Sequence, residues 1–354
     1  MPELKSRPSK KRGFAEAAGK SEKENALTSL SSRSSSVILW MRRVAWIGMG
    51  LFLLVVPAHG QAELNLKGAI DTRVHSGPDS VDRSIDADDL ARIAKERGMR
   101  GLVLKNHWES TAALAYMVRK EVPGIEVFGG IVLDKSVGGI NLEAVKRMTM
   151  MKGGWGRVVW MPTFDSQAFV TRLDAKGLPY SKTPGSKGTI VEVSKDGQLL
   201  PAVLEVIDFI AQNHQLVLET GHISAEEALM VVHEAHQRGV THIVATGVND
   251  MVVDMTITQM QQAAREGAFL EFDYSNAFGI EQQHTMGEFA DAIRKVGPQH
   301  CILATNFGSV RNKTPLHPQA LLDFMVALHK EGISVADVNL MAKTNPALAL
   351  GLTP

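Results

Sequence analysis

Eight short apolar runs, each followed by a stretch with helical periodicity, divide the chain between Leu66 and Leu350. Runs of about five residues alternating with amphipathic segments of about a dozen are the mark of parallel strands joined by crossover helices. Eight such units predict a closed (β/α)8 TIM barrel of the α/β class. An open doubly wound sheet would carry a glycine-rich phosphate turn after its first strand, and none stands there. In a barrel of this kind, chemistry collects where strands end, so the polar residues just after each run become the candidate site.

The strands are read at residues 68–71, 101–105, 125–131, 157–161, 215–219, 242–246, 268–272 and 301–305. Helices are expected at residues 85–97, 110–121 and 141–152, and from Ser224, Thr256, Thr285 and Pro318 onward. Ser224 with Glu227, Thr256 with Gln259 and Thr285 with Glu288 have the capping-box spacing, which satisfies two free backbone N–H groups per helix. Gly239, Gly267 and Gly297-Pro298 are stop signals. Two short helical patterns, 334–342 and 346–350, are expected to pack outside the barrel. After the fourth strand lies a long connection, and residues 163–200 read as a lid-like insertion. Within it, Asp196-Gly197 between alternating stretches predicts a hairpin.

Ahead of the barrel the composition changes. Residues 1–40 are rich in Ser, Lys, Arg and Glu without apolar period, and read as disordered or as a misassigned start upstream of Met41. Residues 41–62 join Met41-Arg42-Arg43, the uncharged run 44–56 and small residues beyond it. These are the parts of a secretory signal peptide, and the run is short for the roughly 20 residues a spanning helix needs. The reading is an exported protein, periplasmic or secreted, with no stable membrane span after cleavage and one barrel domain at 63–354. The arginine pair also matches one part of a twin-arginine signal. The first 43 residues carry ten Lys/Arg against four Asp/Glu, leaving the remainder with a net charge of −6. A mildly acidic body gives no reason to expect nucleic acid or anionic lipid as a partner. The lone Cys301 cannot form an internal disulfide and sits in a strand pattern, so it is read as core.

The first strand runs into Asp71, Arg73 and His75, the second into Lys105 and His107, the fifth into Glu219 and His222, and the eighth into Asn306. Here the chain resembles the amidohydrolase-related barrels, and within them a branch of uncharacterised hydrolase-like proteins. The resemblance rests on residues 71–79, 104–107, Phe128-Gly129-Gly130-Ile131, residues 159–163, Gly221-His222 and Asn345-Pro346. It implies a hydrolase acting on a C–N or C–O bond. It also implies a divalent metal, zinc foremost, that lowers the pKa of bound water to near 7.

Carried over by position, His75 and His222 match two of the family's metal-binding histidines. Arg73 stands where a third belongs, Gly247 where a fourth belongs, and Asn306 in place of the aspartate that takes the proton. A guanidinium has no lone pair to donate. At about 4 Å it would repel another unit charge by about 4 kcal/mol at an effective dielectric of about 20. Asparagine is no general base at neutral pH.

The degenerate site is therefore read with His75, His107 and His222 as the cation ligands and Asp71, Lys105 and Asn306 as the catalytic candidates. Lys105 is otherwise expected as a buried lysine paired with Asp71 or Glu219. Arg83 is a candidate for an anionic substrate group or a helix-entry salt bridge. Other histidines, among them His317, fall on or beside helices and are expected at the surface. Two functions remain: a metal-dependent hydrolase, or a metal-free barrel that binds an anionic small molecule through Arg73 and Lys105. A lyase using Lys105 as a Schiff base is a third option.

Overall fold

The computed structural model describes residues 64–175, 190–279, 282–310 and 316–354. The extension, the signal segment and Tyr180 to Gly185 of the insertion lie outside these residues. No helix among the described residues is long and apolar enough to cross a membrane.

Eight parallel strands close a barrel: β1 (Ile70–Val74), β2 (Gly101–Leu104), β3 (Glu126–Val132), β4 (Gly156–Trp160), β7 (Val217–Glu219), β8 (Ile243–Ala245), β9 (Phe269–Asp273) and β10 (Cys301–Ala304). The seam between β10 and β1 closes through a bridge at Val74 and Phe307, with His75 N donating to Phe307 O and Asn306 N to Arg73 O, both at 2.9 Å. Around the strands run α1 (Ala87–Glu96), α2 (Ala112–Glu121), α3 (Leu142–Thr149), α5 (Pro201–Gln212), α6 (Ala225–Gln237), α7 (Ile257–Arg265), α8 (Met286–Val296) and α9 (His317–Lys330). All three expected capping boxes form, at the starts of α6, α7 and α8. Cys301 is buried, as its strand position implied.

Ile70, Val103, Phe128, Val158, Val217 and Ile302 fill the barrel interior, while a larger apolar layer lies between strands and helices. The chain's end belongs to the inner cluster. After α10 (Val335–Asn339) and a π turn (Leu340–Thr344), α11 (Asn345–Ala349) delivers Ala347, Ala349 and Leu350 against the barrel interior. Asn345 Nδ2 donates to Pro298 O (2.9 Å) and Cys301 O (2.7 Å), and Arg157 Nη1 donates to Leu350 O (3.0 Å). These partners sit where β10 and β4 begin. The last helix is therefore a plug for the barrel's N-terminal end, which corrects the expectation that it packs outside. Its small residues fit a tapered interior where larger ones would clash.

The long connection after β4 holds more structure than its sequence reading assigned. It contains α4 (Gln167–Ala175), then the hairpin of β5 (Ser194–Lys195) and β6 (Gln198–Leu199), then α5. Asp196 and Gly197 turn the hairpin with φ of 50° and 75°, the left-handed pair that Asp-Gly accommodates. Phe164 and Phe169, from the front of the connection, stack on each other at 4.7 Å over the strand ends.

Strand ends differ from their predicted limits by at most three residues. The consequential case is β1, which runs to Val74, so Arg73 lies in the strand and not beyond it. The β1–β2 register also shifts between Asp71 and Val74. Such a bulge re-aims side chains, and here the consecutive Thr72 and Arg73 reach one carboxylate, Glu271, at 2.8 and 3.3 Å.

Candidate functional site

Asp71, Arg73, His75, Lys105, His107, Glu219, His222, Glu271 and Asp273 are all buried at the C-terminal end of the barrel. The predicted histidines do meet. The rings of His75 and His107 stack with centroids 5.1 Å apart, and those of His107 and His222 lie 5.9 Å apart. Gly221 makes this placement feasible. Its φ is +64°, and a Cβ there would lie 2.2 Å from Met161 O, so only glycine lets the chain pass β4 and deliver His222.

Arg73 lies at the centre of the polar layer. Its Nη1 donates to Asp273 Oδ2 (2.5 Å) and Glu271 Oε1 (3.3 Å), and its Nη2 donates to His222 Nε2 (2.6 Å). Burial works against the charge, but Asp273 and Glu271 outweigh it and keep the guanidinium protonated. These bonds tie Nη1 and Nη2 of Arg73 to the protein, while its buried Nε has no partner among the described residues. They also decide whether a divalent cation fits. Arg73 takes the His222 lone pair and pairs with both neighbouring carboxylates, and its own charge stands among them. Among the described residues no group of three or more His, Cys, Asp or Glu is arranged to hold a metal ion. Gly247, where the resemblance implies a histidine, is part of this packing. A Cβ there would lie 2.8 Å from both Arg73 Nη1 and Asp273 Oδ2. As the side chains stand, the site does not fit the metal.

The imidazoles are neutral, their pKa values pushed well below the usual range. Burial is the main cause, reinforced by neighbouring positive charges. Each then has one N–H, and its neighbours determine which. His75 Nδ1 faces the Lys105 carbonyl at 3.0 Å, which can only accept, so the proton sits on Nδ1. His75 Nε2 must then accept. Asn306 Oδ1 lies 3.0 Å from His75 Nε2, and Asn306 Nδ2 donates to Ser275 Oγ (3.1 Å); turning the amide end over end, which leaves its shape unchanged, gives the neutral ring the donor it needs. Asn306 holds this post at a left-handed φ of 55°, a conformation asparagine tolerates. His222 accepts from Arg73 and so also carries its proton on Nδ1.

His107 Nδ1 lies 2.7 Å from Thr163 Oγ1, and Phe164 stacks on the ring at 3.8 Å. Thr163 in turn lies 2.5 Å from Asp134 Oδ2. Sequence reading missed Asp134 and Thr163, although Asp134 is the first acidic residue after the third apolar run and Thr163 falls in a stretch carrying the resemblance. Glu271 was missed because it is enclosed by the apolar residues of β9.

Asp71 serves the seam. It accepts from Thr305 Oγ1 (2.6 Å) and Thr305 N (3.1 Å), and burial raises its pKa to about 7. Glu219 accepts from Trp160 Nε1 (2.5 Å) and Thr246 Oγ1 (3.1 Å). Neither carboxylate bonds Lys105, which corrects that expected pairing. Lys105 Nζ is buried with no hydrogen-bond partner among the described residues, 5.4 Å from the Trp160 ring centre. Burial, then the charge of Arg73, push its pKa down to about 7. Arg83 donates from Nε to Asp79 Oδ2 at 2.6 Å, forming the salt bridge ahead of α1.

His317 is buried and not at the surface, because α9 starts against the seam. Its ring lies 2.7 Å from Phe307 O, and burial lowers its pKa to about 4. An unfolded histidine takes its proton near pH 6.5, so between pH 6.5 and 4 the unfolded chain binds more protons at this site. Stability conferred by the neutral ring is thus present above pH 6.5 and lost as pH falls. Denaturant unfolding at pH 7 and pH 4 is expected to show His317→Gln escaping about 3 kcal/mol of the wild-type loss. Equal losses in both proteins would show that the ring does not titrate this way.

Among solved structures, the chain is similar to the organophosphorus hydrolase from Deinococcus radiodurans, with 14% identity, a TM-score of 0.54, and coverage of 82% of this chain and 94% of that one. It is also similar to an amidohydrolase from Burkholderia multivorans with bound zinc, with 10% identity, a TM-score of 0.51, and coverage of 80% and 99%. At these identities the likeness is one of fold, the barrel shared with these hydrolases. No curated protein matches the chain. A family model matches residues 68–271, a stretch that contains the first six strands of the barrel and the start of β9. The chain belongs to the family that this model describes, a family of unknown function, DUF6282.

Proposed function

We propose that this chain hydrolyses a C–N or C–O bond of a small molecule at the barrel mouth, with His107 as the base and Arg73 as a built-in cation. One observation carries this reading. Of the three mouth imidazoles, His107 alone has an Nε2 with no partner among the described residues, since Nε2 of His75 faces the Asn306 amide and Nε2 of His222 faces Arg73. His107 Nε2 takes a proton from water, and the hydroxide adds to the substrate carbonyl carbon. The C–N or C–O bond then breaks, with the proton returned from His107 to the leaving atom. Trp108 Nε1 and Lys105 Nζ, buried donors without a partner among the described residues, are the groups available to the developing oxyanion. Residues 163–200 act as the lid, a role supported by the stacking of Phe164 and Phe169 on the histidines. Residues 41–62 support export of the chain.

A second reading retains a divalent cation, zinc foremost, on His75, His107 and His222, and the closeness of the three rings favours it. It requires Asn306 and Arg73 to release two imidazoles. The test is turnover of a panel of chromogenic esters, lactones and amides by the chelator-dialysed chain, with metal content measured in parallel. Turnover unchanged by chelation and by added zinc is expected. Turnover that disappears with chelator and returns with zinc establishes the second reading. No turnover in any class, with or without metal, overturns the hydrolase.

A further inference from the structure

Asp134 lies just beyond β3, and its carboxylate is enclosed by the loop after β4. Oδ1 accepts from Thr163 N (2.7 Å) and Asp165 N (3.3 Å), and Oδ2 from Phe164 N (3.2 Å) and the Thr163 hydroxyl (2.5 Å). A carboxylate that receives three successive backbone N–H groups and a hydroxyl acts only as an acceptor. The single proton of Thr163 Oγ1 is thereby committed to Asp134. What the hydroxyl has left for His107, 2.7 Å away, is a lone pair. His107 must then donate from Nδ1, which leaves Nε2 unprotonated. Phe164 belongs to the same loop and covers the ring face at 3.8 Å, so one carboxylate sets both the orientation and the tautomer of the imidazole.

We infer that Asp134 and Thr163 form a positioning relay that holds His107 in the Nδ1–H form and reserves Nε2 for the mouth. This deepens the proposed function and rests on its reading of His107 as the base. The relay has the logic of a base oriented by an acid, with a hydroxyl between them. It acts through His107, and neither Asp134 nor Thr163 needs to touch substrate.

Nitrogen-15 labelling of the histidines tests it without a substrate. Long-range proton–nitrogen spectra report which ring nitrogen is protonated, and loss of one signal set in His107→Gln identifies the residue. In the wild type at pH 7, His107 is expected to show a protonated Nδ1 and a bare Nε2. Asp134→Asn keeps the shape but offers Thr163 an NH2 group. The threonine then accepts from the asparagine and donates to His107, moving the proton to Nε2. Thr163→Val removes the acceptor and is expected to lose the Nδ1–H preference, while Thr163→Ser retains it.

A wild-type His107 protonated on Nε2 overturns the relay, whether or not the variants fold. So does an unchanged Nδ1–H form in both Asp134→Asn and Thr163→Val. If the tautomers behave as expected while the substrate panel shows no turnover, the relay stands and the hydrolase falls, so the two failures are distinguishable.

Discussion

Arg73→Ala is expected to lower the unfolding free energy by about 3–5 kcal/mol, the usual cost of removing one partner from a buried ionic group. Glu271 and Asp273 would each lose a buried positive partner, and His222 Nε2 would lose its donor. Burial already pushes the Asp273 pKa well above the carboxylate range, with Arg73 the main opposing influence. Without the guanidinium, this carboxyl is expected to take up a proton on folding.

The same substitution opens a space bordered by one imidazole and two carboxylates. Micromolar zinc is therefore expected to recover part of the lost stability in Arg73→Ala and to leave the wild type unchanged. Denaturant titration with and without zinc, together with bound metal per chain, measures both effects. Zinc that stabilises the wild type as strongly as the variant would show that Arg73 does not stand in for the cation.

His107→Gln is the second large effect. Removal of a general base lowers turnover by about 10²–10⁴-fold. On any panel substrate the loss is expected in kcat with KM little changed, because the glutamine amide still fills the stack beneath Phe164. His75→Gln gives the comparison, since both nitrogens of its ring already face protein partners, the Lys105 carbonyl and the Asn306 amide. The base reading expects the loss at position 107 to exceed that at 75 by at least tenfold. If both positions lose activity equally and bound metal falls with it, His75 and His107 are joint ligands instead.

The sequence supports several of these placements directly. Asp71, His75, Lys105, His107, His222 and Asn306 were read as rim residues; all but Asp71 follow the end of a strand, and Asp71 lies within β1. The roles of Asp71 and Lys105 shifted because their partners did. Asp71 was free to be imagined as an acid until Thr305, across the seam, took both its oxygens. Lys105 was expected to pair with Asp71 or Glu219, but Thr305 bonds Asp71, Trp160 and Thr246 bond Oε2 of Glu219, and Lys105 Nζ joins neither. Asp134 and Thr163 looked like ordinary loop residues, because a relay is visible only when its three members are seen together.

The barrel was legible in the chain because the interactions that build each unit are local. Apolar spacing, a capping box four residues long and an Asp-Gly turn all act between near neighbours, so they leave a pattern in the order of residues. The character of the mouth rests on distant pairings. Arg73 reaches partners 149, 198 and 200 residues away, and a bulge in β1 aims it there. The barrel's closed end is sealed by α11, whose small apolar residues carry no mark that distinguishes a plug from a surface turn. Side chains far apart in the chain acquire their charge state, tautomer and task from the neighbours that folding brings to them, and that information exists only in three dimensions.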